Sequence, residues 1–396
     1  MDAIHELLTR GVDQIYPSKE ELEQVLRSGK KLRLYQGFDP TGTQLHIGHM
    51  VGLRKHRQWQ DLGHEVIFLV GDGTGQAGDP TGKKQTRERF YTRDELRANA
   101  KDYLSQAAKV VRFTGPHPVK VLFNSDWLNQ LRLTDILDIA QHFTVQQLIE
   151  RDMFQDRLRR SEPINLREFL YPLLQGYDSV AMDVDLEMGG TDQTFNMLAG
   201  RMLMRSMKGK DKFVMTTPLL ADADGVKIGK SEGNVIALTD QPADLFGKIM
   251  SLGDASIVPM LTLLTDTPPD RIASISADIA AGTNPMDFKK LAAHTIVAQL
   301  NSQAAADSAQ KAFESVFQRG STPTDIPTHT FASTPTISQV LVQSGLVSSN
   351  SEARRIVDQR GTAIDGQKVN EYNQSVPSGA TVSVGPRKFV KVVVGK

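Results

Sequence analysis

The chain has 396 residues, of which 39% are hydrophobic and 23% charged, ordinary proportions for a globular protein and enough chain for two or three domains. Forty-six Lys and Arg balance forty-six Asp and Glu, so no whole-chain field selects a polyanionic partner, and a local patch would have to do so. Cysteine is absent, which excludes disulfides and thiolate zinc sites and predicts a reducing, cytoplasmic location.

The first residues, MDAIHELLTRG, are acidic and amphipathic, without the basic start and apolar run of a signal peptide. Apolar runs such as VIFLV at 66–70 are too short to cross a bilayer, so no membrane association is expected. KLRLYQG (31–37) alternates and meets a turn, the pattern of a strand entering a loop. Residues 47–62 have helical spacing with a stop at Gly63, and HEVIFLVG (64–71) reads as a buried strand. Strand, helix, strand within about forty residues is a βαβ unit, hence a parallel sheet with ligands at the strands' carboxyl ends. VKVLFNSDW (119–127) reads as a further strand ending in polar residues, 131–182 is mainly helical, and 185–204 returns to strand, glycine turn and helix. A helical region covers about 241–318, and a Pro-, Thr- and Ser-rich stretch at 319–336 marks a linker. Beyond it lies a small module of two helices followed by short strands. From Ser338 onward eight Lys or Arg (Arg354, Arg355, Arg360, Lys368, Arg387, Lys388, Lys391, Lys396) face four acidic residues. That excess alone is equally consistent with a solvated face.

Three readings compete for the histidines in DPTGTQLHIGHMVGL (39–53). As a metal pair, His46 and His49 lack a third ligand of suitable type, since no HExxH motif and no cysteine occurs. As a phosphate site, they flank the first turn of a helix, where N–H groups and the dipole attract anions, and Gly48 allows close backbone approach. As exposed caps they would have no further role. GTGQAG (73–78) fits G-x-G-x-x-G, but Pro80 and Gly82 forbid the helix that a dinucleotide fingerprint opens at its last glycine. GDPTGKK (78–84) is no Walker A loop, because Ala77 and Lys84 stand where glycine and Ser/Thr are required. A flexible glycine loop remains. In ADGVKIGKSEGN (223–234), Lys227, Lys230 and Ser231 lie in a glycine-containing loop. They are either solvated or able to close over a triphosphate and match its developing charge.

HIGH (46–49) is letter for letter the first signature of class I aminoacyl-tRNA synthetases, and KIGKS (227–231) is similar to the second, KMSKS. With YQGFDPT, GDPTGKK and EFLYPLLQGYDSVAMDVDLEMGGTDQTFN (168–196), the chain resembles the bacterial tyrosyl-tRNA synthetase family over about residues 30–240 and again 336–396. The resemblance implies a Rossmann-like doubly wound parallel-sheet catalytic domain at 1–235, with a helical insertion near 125–165 forming a homodimer contact. It also implies an α-helical domain at 236–320, a linker at 321–335 and a small α+β RNA-binding domain at 336–396. Its substrates would be L-tyrosine, ATP with Mg2+ and tRNA(Tyr), and no metal would be held by the protein itself.

By position, the resemblance assigns Tyr35 and Asp178 to the phenol and Tyr171, Gln175 and Asp79 to the α-ammonium, with Gln193 near the carboxylate. Gly37, Asp39, Thr41, His46, Gly48, His49 and Lys230 would line the ATP site, with Asp192 on its ribose. Lys83 and Arg87 on one loop and Lys227, Lys230 and Ser231 on another would hold pyrophosphate, and Arg354, Arg355, Arg387 and Lys388 would contact tRNA. KIGKS keeps both lysines and the hydroxyl but has Ile and Gly where the common signature has Met and Ser. A carboxylate nucleophile is already ionised at neutral pH, so the absence of a Ser-His-Asp or Cys-His arrangement is consistent with this chemistry. Two rivals fit parts of the pattern: a tryptophan-specific relative, and a non-catalytic RNA-binding protein on the same fold.

Overall fold

A computed structural model describes residues 2–81, 89–221, 235–317, 326–347, 349–385 and 388–395. They divide into two units, Met1–Ala306 and Asp307–Lys396.

The first unit opens with α1 (Ala3–Thr9), β1 (Gln14–Tyr16) and α2 (Lys19–Arg27). An alternating run follows: β2 (Arg33–Phe38), α3 (Ile47–Asp61), β3 (Glu65–Val70), α4 (Thr74–Ala77), α5 (Arg93–Ala107) and β4 (Lys120–Phe123). Next come α6 (Ser125–Leu128), α7 (Leu133–Ala140), α8 (Val145–Ile149), α9 (Asp152–Arg159) and the long α10 (Leu166–Met182). Then β5 (Leu186–Gly190), α11 (Thr194–Lys208) and β6 (Phe213–Thr217) complete the sheet. The helices α12 (Pro242–Met250), α13 (Ile257–Leu264), α14 (Pro269–Ala280) and α15 (Met286–Leu300) close the series, and α16 (Gln303–Phe317) spans the boundary between the two units.

The six strands lie in the order β1-β6-β5-β2-β3-β4. Every neighbouring pair is parallel except β1 with β6. The predicted parallel sheet therefore carries an antiparallel edge strand, which three residues of weak pattern did not announce. From β2 the chain runs outward through β3 to β4, then returns to lay β5 on the other side of β2. The gap between β2 and β5 is thus the topological switch point, where ligands gather at the strands' carboxyl ends. Val66 to Val70 are all buried, as a parallel strand covered on both faces requires.

GTGQAG is not a loose loop: its middle forms the single turn α4, with Thr74, Gly75 and Ala77 buried, and Gly78 (φ +85°) ends it. Helix α10 starts on a capping box in which Asn165 and Glu168 satisfy each other's backbone N–H groups. Glu168 also accepts from Arg157 at 2.7 Å, with both side chains buried, which ties α9 to α10. No single described helix is long and apolar enough to cross a membrane. The pair Pro242–Met250 and Asp254–Leu264 passes jointly but is bent by 113°.

The second unit has β7 (Thr328–Phe331), α17 (Ile337–Gln343), α18 (Asn350–Asp358), β8 (Thr362–Ile364), β9 (Gln367–Lys368), β10 (Thr381–Val384) and β11 (Lys388–Val394). Its sheet order is β7-β11-β10-β8-β9, with β7 parallel to β11 and the remaining pairs antiparallel. Strand β7 falls within the stretch predicted as a linker. Its alternation of β-branched and aromatic residues suits a strand, and Phe331 joins the core beside Val340, Leu341 and Val392. The surrounding prolines and threonines disguised it.

His56 on α3 is fully buried edge-on to Phe38, and neither ring nitrogen has a hydrogen-bond partner among the described residues. Burial pushes its pKa down from 6.5 to about 3. As pH falls through that interval, the unfolded chain binds a proton that the folded one refuses, so stability drops by up to about 1.4 kcal/mol per pH unit. We expect His56→Leu to flatten the fall in stability between pH 6 and pH 4, measured by urea unfolding. An unchanged slope would contradict a neutral buried imidazole.

Candidate active site

Along α10, Tyr171, Gln175 and Asp178 recur at intervals of four and three, and so share one helix face. Strand β2 offers Tyr35 and Gly37 on one side by its two-residue period. These two elements bring together the side chains expected around an amino acid.

Asp178 is not a surface carboxylate. It is buried, accepting from Asn124 Nδ2 at 3.0 Å and from Trp127 Nε1 at 2.8 Å. Burial pushes its carboxyl well above the usual range, and those two donors partly offset the shift. Tyr35 is fully buried, with its hydroxyl 2.9 Å from Ser179 Oγ. Burial first, then Glu187 and Asp178, hold its phenol far above the ordinary value. Tyr171 donates to Asp39 Oδ2 at 2.9 Å, and Thr74 donates to Asp39 Oδ1 at 2.7 Å. A Cβ at Gly71 would collide with that Asp39 oxygen, so the turn after β3 must be glycine. Asp79 accepts from Gln193 Nε2 and from the Thr81 N–H, each at 2.9 Å. Gln175 donates to Glu187 Oε1 at 3.0 Å, while its own buried Oε1 has no partner among the described residues.

His46 is the N-cap of α3 and is buried, which removes the reading as exposed caps. Its Nδ1 accepts from the Gly48 N–H at 3.2 Å, and His49 Nδ1 accepts from the His46 N–H at 3.1 Å. Both rings, 3.9 Å apart, therefore carry the neutral-form proton on Nε2, a donor suited to phosphate oxygens. The segment after the second signature lies directly beside them. Ile47 N–H donates to Ile236 at 3.0 Å, Leu238 N–H donates to Leu45 at 2.9 Å, and His46 bridges Ala237. Thr41 accepts from Tyr91 through its carbonyl, and Asp192 sits in the short turn Thr191–Gln193 after β5. Lys83, Arg87, Lys227, Lys230, Ser231 and Arg387 lie outside the described residues. In the second unit, Arg354 and Arg355 on α18 and Lys388 on β11 are exposed.

Asn124, Trp127, Ser179, Glu187 and Lys212 escaped the sequence reading. Asn124 is a junction: it accepts from the Gly73 N–H at 2.7 Å and donates to Thr74 and Asp178, each at 3.0 Å. Polar residues directly after a strand's carboxyl end were the available signal for Asn124 and Trp127.

A family model described as tRNA synthetases class I (W and Y) matches residues 27–318. A second, for the tyrosine–tRNA ligase SYY-like C-terminal domain, matches residues 317–384. The tyrosine–tRNA ligase of Haemophilus ducreyi is 43% identical over 396 residues, covering all of this chain and 99% of that one. That of Burkholderia lata is 43% identical over 391 residues, 97% of this chain and 94% of that one. Among solved structures, a C-terminally truncated mitochondrial tyrosyl-tRNA synthetase of Aspergillus nidulans matches with TM-score 0.66 and 22% identity, over 80% of this chain and 94% of that one. The tyrosyl-tRNA synthetase of Archaeoglobus fulgidus, complexed with L-tyrosine, matches with TM-score 0.62 and 23% identity, over 78% and 100%. At those identities the structural likeness speaks for the fold alone.

Proposed function

The chain belongs to the class I tRNA synthetases of the tryptophan and tyrosine group, and within it to the ATP-dependent tyrosine–tRNA ligases, and we propose that the residues assembled at the β2–β5 switch point carry out its two half-reactions. The observation that carries these assignments is the meeting of a buried tyrosine and carboxylate, Tyr35 and Asp178, with paired imidazoles at a helix N-terminus.

In the first step the tyrosine carboxylate attacks the α-phosphate of ATP and pyrophosphate leaves. Tyr35 and Asp178 bind the phenol, and a phenylalanine ring would leave unmet the hydrogen-bonding capacity they turn toward the ligand, so the site selects against it. Tyr171, Gln175 and Asp79 hold the α-ammonium. The partnerless buried carbonyl of Gln175 supports that role. Gln193 orients Asp79 and lies toward the carboxylate. Asp39, Thr41, Gly37, Gly48, His46 and His49 line the nucleotide, and Asp192 takes the ribose. The Nε2 protons of the two histidines meet phosphate oxygens as charge develops on them. Lys83, Arg87, Lys227, Lys230 and Ser231 complete the pyrophosphate contacts, and the anchoring of Ile236 and Leu238 beside His46 supports bringing the second signature there. Magnesium arrives on the ATP phosphates as part of the substrate. Among the described residues no three His, Asp or Glu side chains converge as ion ligands. Alignment and charge matching, rather than a general base, do the catalysis.

The second step passes the tyrosyl group to the 3′ end of tRNA(Tyr). Arg354, Arg355 and Lys388, with Arg387, contact its backbone, which their exposure in the second unit supports. The enzyme works as a homodimer through the 125–165 insertion. Leu133, Leu137, Val145 and Leu166 support this, since they are 71%, 59%, 66% and 75% exposed, unusual for leucine and valine on one set of helices. A cysteine-free chain suits the cytoplasm.

Exchange of labelled pyrophosphate into ATP is expected with tyrosine and not with tryptophan or phenylalanine. Lys230→Ala should lower the exchange rate at least tenfold while tyrosine still binds, as read by equilibrium dialysis; joint loss of both would refute the loop's assignment. Replacing Arg354 and Arg355 with alanine should weaken tRNA binding and reduce its dependence on log salt by about two, leaving exchange unchanged. Leu137→Asp should shift the sedimenting species to monomer; a dimer that survives would move the interface elsewhere.

A further inference from the structure

Residues 39–45, between β2 and the first signature, form neither helix nor strand, yet their backbone is gripped from α5. Asn99, Tyr103 and Gln106 recur along α5 at intervals of four and three, and so share one face. Asn99 Nδ2 donates to the Pro40 carbonyl at 2.9 Å. Gln106 is buried and spans the far end of the loop. Its Nε2 donates to the Thr43 carbonyl and its Oε1 accepts from the Leu45 N–H, each at 2.7 Å. Tyr91, just before α5, donates from its hydroxyl to the Thr41 carbonyl at 3.0 Å. Between Asn99 and Gln106 on that face, the Tyr103 ring lies 6.4 Å from the ring of His49. The sense of each bond is fixed, because a main-chain carbonyl only accepts and a main-chain N–H only donates.

None of the roles assigned at the switch point falls to these side chains. Satisfying backbone groups alone does not call for them, since Thr43 is exposed and water reaches such a residue. An irregular segment left to itself loses its backbone freedom when a ligand binds, which weakens affinity, whereas a segment fixed beforehand has lost it on folding. The grip also reaches the chain after the second signature. The Leu45 carbonyl accepts from the Leu238 N–H at 2.9 Å, and the Leu238 carbonyl accepts from Nζ of Lys109, just beyond α5, at 2.8 Å. The residue before His46 is thus bound through both of its backbone groups, and each route returns to α5.

We propose that Tyr91, Asn99 and Gln106 are positioning residues for the nucleotide, fixing the 39–45 backbone so that Asp39, Thr41 and the His46 imidazole stand in place before ATP arrives. Loss of one grip is then felt in the use of ATP and not in the binding of tyrosine, whose contacts Tyr35, Tyr171 and Asp178 stand on β2 and α10. This inference rests on the reading that residues 39–49 line the nucleotide.

Two conservative variants test it. Tyr91→Phe removes a single hydroxyl, and Gln106→Met replaces the amide by a side chain of like length. In tyrosine-dependent pyrophosphate exchange each should lower kcat/KM for ATP about three- to tenfold. Equilibrium dialysis should find tyrosine bound within about twofold of wild type. Amide hydrogen exchange, read by mass spectrometry of overlapping peptides, supplies a second readout. The Leu45 amide should exchange slowly in the wild type without ligand and gain little protection from ATP. In Gln106→Met it should exchange fast, and ATP should slow it again. Unchanged kcat/KM for ATP in both variants, or equal losses in ATP use and tyrosine binding, would overturn the proposal. So would a wild-type Leu45 amide that exchanges fast until ATP is added. A His46→Ala variant with unaltered kcat/KM for ATP would instead strike the underlying assignment of 39–49 to the nucleotide.

Discussion

Everything in the catalytic unit depends on β2 having parallel neighbours on both sides. Its register with β3 runs along all six residues, while β5 meets it through Leu34–Leu186 and Tyr35–Glu187. Because the chain leaves β2 in one direction and comes back on the other side, no connection crosses the carboxyl ends of β2 and β5. Asp39 and Thr41 follow β2, and Asp192 and Gln193 follow β5. Reversing either strand would send these loops to the opposite edge of the sheet, so the site is a consequence of topology before it is one of side chains.

The electrostatics of that cleft are lopsided. Asp39 and Asp79, half-buried, and Asp178 and Glu187, buried, converge on it, and among the described residues the lysine paired with them is Lys212, fastened to Glu187. Buried carboxylates without full compensation are costly to the empty protein. Their placement suits a ligand that brings its own cation, such as an α-amino acid, and leaves the opposite wall, at the N-terminus of α3, for anions. The gradient from carboxylates to imidazole N–H groups and helix dipole lies across a few residues at the end of β2. A zwitterion with its carboxylate directed at a phosphate is the molecule such a gradient orients.

How much of this could be read in the chain varies with the physical kind of signal. Helix α3 and its histidine cap and the buried strand β3 were legible, because periodicity and terminus chemistry are local, whereas Tyr171, Gln175 and Asp178 came only from the likeness to a family. The edge strand β1 and the strand β7 were not. The first is three residues long and the second is masked by prolines and threonines, and each exists through a partner distant in sequence. The ion pair under Tyr35 was hidden for another reason. A lysine at the start of a strand reads as solvated, and nothing local says that Gly200, twelve residues earlier, has opened a hole for its ammonium. One clue was present: Glu187 is a lone carboxylate in LEMGG, a strand flanked by interior neighbours, and such a residue must have a partner.

The chain that follows the second signature is tied by main-chain hydrogen bonds to the first, some 180 residues earlier in the sequence. Ile236 and Leu238 bond to Ile47 and Leu45 on either side of His46. The residue that caps α3 is thereby held from both directions, by its own helix and by the chain that leaves the second signature. Movement of that chain would be felt first at the imidazole pair, whose Nδ1 atoms are committed to the backbone and whose Nε2 protons have their direction set by it. At α3 the Nδ1 atoms of both imidazoles are held by main-chain N–H groups of the helix's own first turn.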